Sequence, residues 1–319
     1  MGTHGFADDR RLRAGASHAA VSPAGPDPAL ASVPDPSHQT YLARALILAT
    51  LPHSRPVRRD PAGVPLRDPG GRIVEAIDWE RVNGHYRLRI QADPELGLPF
   101  GAYPRLVLAG ITREVKRRRS RTIPLGQLYP FLRQLGVSPG GNTARQVVNQ
   151  VERLVGARMS FEWRGEDEDG EINRRHYVQV ATSLELWKPR VRRAGPGGDL
   201  LPGVVELSEE FFRELEAFAV PLDLRIIARI KSSPLALDLY AWLTYRAFRV
   251  RRPTAVPWEA LERQFGAEYA HRRDFRLRVR RALARILALY SDLRVELTRE
   301  AVRLLPSRPS VRPRPAERR

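Results

Sequence analysis

Apolar residues recur with a helical period over most of the chain and with a period of two over a few short stretches. Ile77, Trp79 and Val82, then Tyr86, Leu88 and Ile90, flank Asn83-Gly84 and predict a β-hairpin, with Asn-Gly suited to a type I′ turn. From about Pro104, Leu108, Ile111 and Val115 return at i, i+3 and i+7, the spacing of one helix face. A short strand is expected around Ile123, then a helix over 127–135 with Gly136 just past its end, then a third helix over 143–158. Ser160-Phe161-Glu162-Trp163 alternates, 165–170 reads as an acidic turn, and 177–186 as the returning strand. Three helices followed by a hairpin is the order of a winged helix.

The second half repeats that order with little residue-level similarity. Ser208 followed by Glu209 and Glu210 suits a helix N-cap with acids in the first turn. A short helix is expected over 221–230. Ser233-Pro234 provides a cap and an N1 proline for 235–248, which is apolar on most faces and therefore central. Trp258, Leu261 and Phe265 share a stripe over 257–265, stopped by Gly266; a long helix over 271–290 and two strands, 294–298 and 301–305, close the pattern. The fold class this predicts is α+β, mostly helical, with tandem winged-helix domains at 97–190 and 204–306. Around them, 1–40 carries five prolines and is expected to be disordered, 41–96 to be an extension with a helix at 41–51, a loop at 52–71 and the hairpin, 191–203 an Arg/Gly/Pro-rich linker, and 307–319 a basic flexible tail.

Charge narrows the partners. Fifty-four Lys and Arg face thirty-six Asp and Glu, a net +18, which calls for a polyanion. The chain has no cysteine, so disulfides, thiolate metal sites and cysteine nucleophiles are excluded. The apolar runs are too short to span a bilayer and the N-terminus lacks a signal peptide's apolar core, so a cytoplasmic protein without a membrane partner is expected. There is no P-loop motif, and the seven histidines are isolated. No catalytic residue, cofactor or metal is expected, and Glu166-Asp167-Glu168-Asp169 reads as a solvated wing tip rather than a cation site.

Two helices and one basic run are candidates for DNA contact. On a helical wheel, Val147, Val148, Val151, Leu154 and Val155 cluster, while Arg145, Gln146, Asn149 and Arg153 fall on the other side. Arg can fork to guanine, and Gln or Asn can pair with adenine, although a solvated polar face carries the same residue types. Asn149, flanked by the two arginines, is expected to read a base, and Arg153 to bridge base and backbone. Along 271–285 there are seven arginines and one acid, Asp274; Arg273, Arg276, Arg280 and Arg281 are expected outward, with Leu277 interrupting them. The run 113–121 has six cations and one acid, and Arg117, Arg118 and Arg119 either bind phosphate or cap the preceding helix.

Several stretches carry a family resemblance. Gly97-Leu98-Pro99-Phe100-Gly101 with Pro104-Arg105-Leu106, Leu132-Arg133-Gln134-Leu135-Gly136 before Gly140-Gly141, and Val151-Glu152-Arg153-Leu154 resemble plasmid-encoded RepA-type replication initiators. So do Ser208-Glu209-Glu210-Phe211-Phe212, Val220-Pro221-Leu222-Asp223-Leu224, the run from Ser233-Pro234-Leu235 to Thr244-Tyr245-Arg246, and Trp258 through Gln264-Phe265-Gly266. The resemblance covers about residues 97–306 and departs from the family at 143–150. It implies a bacterial initiator that binds repeated double-stranded origin DNA (iterons), helps open it, and brings in the host initiator and replicative helicase. A homodimer is compatible with it, as is a transcriptional repressor of the same fold.

Overall fold

The computed structural model describes residues 30, 34–138, 140–167, 170–186, 203–266, 269 and 271–311. Residues 1–29 of the expected disordered segment, nearly all of the expected linker, the wing-tip residues 168–169 and the tail beyond 311 lie outside them. The end of the N-terminal segment is folded, contrary to expectation. A 3-10 turn, Pro36–His38, leads into β1, Gln39–Leu42, and then a five-residue helix α1, Arg44–Leu48. The helix expected over 41–51 forms only over Arg44–Leu48, and its first two residues, Tyr41 and Leu42, belong to β1 instead. Thr40 is buried, and its hydroxyl donates to the Ala109 carbonyl at 2.8 Å.

The hairpin is β2, Asp78–Asn83, with β3, Tyr86–Gln91. Asn83 pairs with Tyr86 in the last rung, so the turn's central residues are Gly84 and His85 rather than Asn83 and Gly84. Only Gly84 has a positive φ, +57°, which is the type II′ pattern and corrects the type I′ expectation. Asn83 is used elsewhere: its Nδ2 donates to the Leu48 carbonyl at 2.8 Å.

Next come α2, Ala102–Arg118; β4, Thr122–Pro124; α3, Leu128–Gln134; and α4, Gly141–Gly156. A Cβ at Gly110 would stand 2.8 Å from a Leu128 methyl, so its absence lets α2 and α3 close up. Beyond α4 run β5, Arg158–Asp167; β6, Gly170–Gln179; and β7, Ala181–Leu186. The single strand expected over 177–186 breaks at buried Val180: β6 pairs with β5, whereas β7 turns away to pair with β8, Gly203–Leu207.

The remaining elements are α5, Glu209–Phe218; β9, Val220–Asp223; α6, Leu224–Ile230; α7, Pro234–Ala247; β10, Thr254–Pro257; α8, Trp258–Phe265; α9, Arg272–Leu289; β11, Val295–Leu297; and β12, Ala301–Leu304. The expected caps form: Ser208 Oγ accepts from Phe211 N at 3.1 Å, and Ser233 Oγ from Ala236 N at 3.2 Å. From α7 onward the order is helix, strand, helix, helix, strand, strand, with sheet order β10-β12-β11. The first half has the same order from α2 to β6.

All strand pairings in the four sheets are antiparallel, giving a mixed architecture of helices and sheets. Two sheets tie the halves together. β8, from the second half, joins β4 and β7 of the first, and β1 pairs with β9. A Cβ at Gly203 would lie 2.1 Å from the Glu185 carbonyl, so β8 enters that sheet through a glycine. A single apolar cluster runs from Leu42 to Leu304, with α7 at its centre, buried continuously from Leu235 to Thr244.

Candidate nucleic-acid interface

The helix α4 is amphipathic as predicted: Ala144, Val147, Val151 and Leu154 are buried, with Val148 and Val155 half-buried beside them. Asn142, Arg145 and Gln146 are exposed and make no side-chain hydrogen bond or ion pair among the described residues. The other two predicted residues are not free. Arg153 is only 7% exposed. Its Nη1 donates to Glu75 Oε2 at 2.6 Å and to the Leu98 carbonyl at 3.1 Å, and its Nη2 donates to Glu75 Oε1 at 3.1 Å. Arg153 Nε donates to Asn149 Oδ1 at 2.9 Å, so the asparagine holds the arginine rather than facing outward alone.

The expectation that Arg153 meets DNA is therefore corrected. The wheel places it opposite the core, but Glu75, the Leu98 carbonyl and the Phe100 ring meet its guanidinium there. Glu75 also pairs with Arg55. Burial pushes the Glu75 carboxyl up, yet hydrogen bonds from Arg153 and Arg55 outweigh it and hold the group below its ordinary value. A Cβ at Gly97, whose φ is +79°, would come within 2.5 Å of Glu75 Oε2 and 2.7 Å of Arg153 Nη1, so the glycine leaves room for this pair.

The second helix presents more charge. Phe275, Val279, Leu283 and Ile286 of α9 are buried, as is Tyr290 just beyond its end. Arg273, Arg280 and Arg281 are exposed and make no ion pair among the described residues. With Leu277, 45% exposed, they follow the i, i+4, i+7, i+8 spacing of one face. Arg276 differs from expectation: it is half-buried and lies beside Arg280 against the Trp258 ring, at 5.6 and 5.5 Å. Arg278, missed by the wheel, is exposed and adds to the basic surface. Arg272 pairs with Glu262 at 2.6 Å, and Arg285 donates to the Arg229 carbonyl at 2.8 Å.

The basic run 113–121, at the C-terminal end of α2, is largely paired within the fold. Arg117 and Arg118 both grip Glu114, at 2.6 and 2.7 Å. Arg119, in the left-handed conformation at the helix C-cap, pairs with Glu216 at 3.2 Å. Arg121 bridges Glu206 and Glu209. Of the two readings of Arg117, Arg118 and Arg119, these contacts favour the structural one.

No cluster of potential metal ligands occurs among the described residues, and no helix there is long and apolar enough to cross a membrane. A cleft of 990 Å³ over β2, β3, β5 and β6 is lined by interspersed acids and arginines, including Glu80 and Arg89, which pair at 2.6 Å.

Among curated proteins none matches the chain. Two crystal structures of domains 2 and 3 of RctB are similar: one at 12% identity and TM-score 0.48, covering 72% of this chain and 92% of the other, and one at 14% and 0.45, covering 75% and 92%. The family profile described as plasmid-encoded RepA protein matches residues 98–259, from just before α2 to the start of α8, which leaves α9 beyond the match. That match covers more than half of the sequence, and the chain belongs to the plasmid-encoded RepA protein family.

Proposed function

We propose that this RepA-family chain is a plasmid replication initiator that binds repeated origin DNA through two winged helices, α4 and α9 being the helices that enter the major groove. In this role it helps open the origin and brings in the host initiator and replicative helicase, acting at the DNA in the bacterial cytoplasm without a catalytic group or cofactor. The observation that carries the reading is a pair of exposed helix faces, Arg145 with Gln146 on α4 and the cationic Arg273, Arg280 and Arg281 on α9. Each lies on the third helix of its unit, directly before an antiparallel strand pair. Arginines this dense repel one another in water, and phosphates or guanine edges supply the missing counter-charge.

On this reading, base contacts on α4 come from its N-terminal half, where Arg145 and Gln146 are exposed. Arg145→Ala and Gln146→Ala should each cost roughly 1–3 kcal/mol on the specific site. Gln146→Ala should leave binding to mixed-sequence DNA nearly unchanged, because it removes no phosphate contact. The check is a paired titration of each variant on the origin fragment and on a scrambled duplex at fixed salt. Equal losses on both duplexes for Gln146→Ala would remove base reading from α4.

A further inference from the structure

A loop was expected over 52–71, but residues 55–76 fold into two copies of one turn. The sequence repeats at a spacing of eight residues: Arg59-Asp60-Pro61-Ala62-Gly63 and Arg67-Asp68-Pro69-Gly70-Gly71. Each copy makes the same bonds. Asp60 and Asp68 accept at Oδ1 from the backbone N–H four residues on, at 2.8 Å in both. Their carbonyls accept from Gly63 and Gly71, at 2.9 Å. Arg59 and Arg67 each clamp the carbonyl of that glycine through Nη1, at 2.7 Å. Gly63 and Gly71 sit at φ +82° and +80°, where a side chain is strained.

The two turns close on each other. Leu66 N donates to the Arg58 carbonyl, Val74 N to the Leu66 carbonyl, and Arg58 N to the Val74 carbonyl, at 2.8–2.9 Å. This triangle, two steps of eight residues closed by one of sixteen, holds the segment with almost no buried side chain of its own.

We propose that this double turn is a second DNA-contact element, placing Arg58 and Arg72 against the phosphate backbone beside the groove that α4 enters; it rests on the proposed DNA binding of α4. Three observations support it. The segment is docked on α4 itself, through Glu75 and Arg153. Its acids are occupied, Asp60 and Asp68 by turn N–H groups and Glu75 by two arginines, while Arg58 and Arg72 are exposed and make no side-chain hydrogen bond, ion pair or ring contact among the described residues. Finally, the anchor is on the C-terminal half of α4. A recognition helix aims its N-terminal residues at base edges, so its other half lies toward the sugar–phosphate wall. An element fixed there stands next to phosphate rather than over bases.

The test uses the intact chain and a 40-bp mixed-sequence duplex, measuring affinity over a range of salt concentrations. The variants are Arg58→Ala/Arg72→Ala, Arg58→Lys/Arg72→Lys, and Arg145→Ala as the marker for α4. Because log affinity falls with log salt at about −0.9 per neutralised phosphate, the double alanine variant should have a slope shallower by about 1.8. The double lysine variant should keep the wild-type slope. A wild-type slope in the double alanine variant overturns the proposal while leaving α4 binding in place if Arg145→Ala still weakens it. An equal fall in both double variants would mean a structural effect and also overturn it. If the wild-type chain shows no salt-dependent binding at all, the DNA reading of α4 fails together with the double turn.

Discussion

Asp238→Ala is expected to lower the unfolding free energy by about 3–5 kcal/mol, measured by urea denaturation at neutral pH. Asp238 is buried in the central helix α7 and accepts from Arg105 Nε and Nη2, both at 2.7 Å, with His53 Nε2 at 2.8 Å from its Oδ2. Arg105, itself only 5% exposed, also donates to the carbonyls of Leu51, Pro52 and Gly101. Its guanidinium therefore joins α2, the N-terminal extension and the second half at one point. Removing the carboxylate leaves that cation buried without its counter-charge, and the cost is mostly the stranded arginine rather than the net value of the pair. Asp238→Asn keeps hydrogen-bonding capacity and should lose less than the alanine variant.

The same pair sets an acid limit. Burial pushes the Asp238 carboxyl up, but the charge of Arg105 and the hydrogen bonds from His53 and Arg105 outweigh it, so the group sits below its ordinary 3.8. A carboxyl depressed on folding contributes stability that is complete above its ordinary value. That contribution is lost as pH falls through the lower folded value. Unfolding free energy should therefore drop below about pH 4 in the wild type, and Asp238→Asn should flatten that part of the profile.

The second large effect concerns α9. The triple replacement of Arg273, Arg280 and Arg281 by alanine should make the salt slope of DNA binding shallower by about 2.7, at 0.9 per phosphate. Specific and mixed-sequence duplexes should be affected alike, because phosphate contacts position the protein without reading sequence. Stability should fall by no more than about 1 kcal/mol, since all three side chains are exposed and lack ion pairs among the described residues, and only Arg280 has a ring contact, with Trp258. A slope equal to wild type, in a protein with an unchanged urea midpoint, would take α9 off the DNA.

Local signals in the sequence carried most helices and the exposure of several candidate contact residues, Arg145, Gln146, Arg273, Arg280 and Arg281 among them. The 3.6-residue period identified α2, α4 and α9, and the serine caps of α5 and α7 form as expected. What the sequence did not show is long-range. Nothing in 203–207 indicates that β8 would join β4 and β7, and nothing in 39–42 indicates a partner at Val220–Asp223, because strand pairing leaves no mark in either segment's own periodicity. The wheel misplaced Arg153 for a related reason. It knows only the helix's own geometry, and the partners that bury Arg153, the Glu75 carboxylate and the Leu98 carbonyl, come from segments outside the helix. One signal was legible in 52–76: the repeated Arg-Asp-Pro-x-Gly, whose proline and glycine mark turns. Arg117 and Arg118 carried their own clue, since Glu114 stands at i−3 and i−4.

Sequence-specific binding of repeated DNA is tested most directly by titrating the intact chain, at one fixed salt concentration, with the DNA that flanks its own gene and with a mixed-sequence duplex of equal length. The expected result is binding to the flanking fragment at least about 10³-fold tighter, with protection from cleavage repeating across direct repeats. Equal affinity for the two duplexes, or no repeated protection, would contradict it.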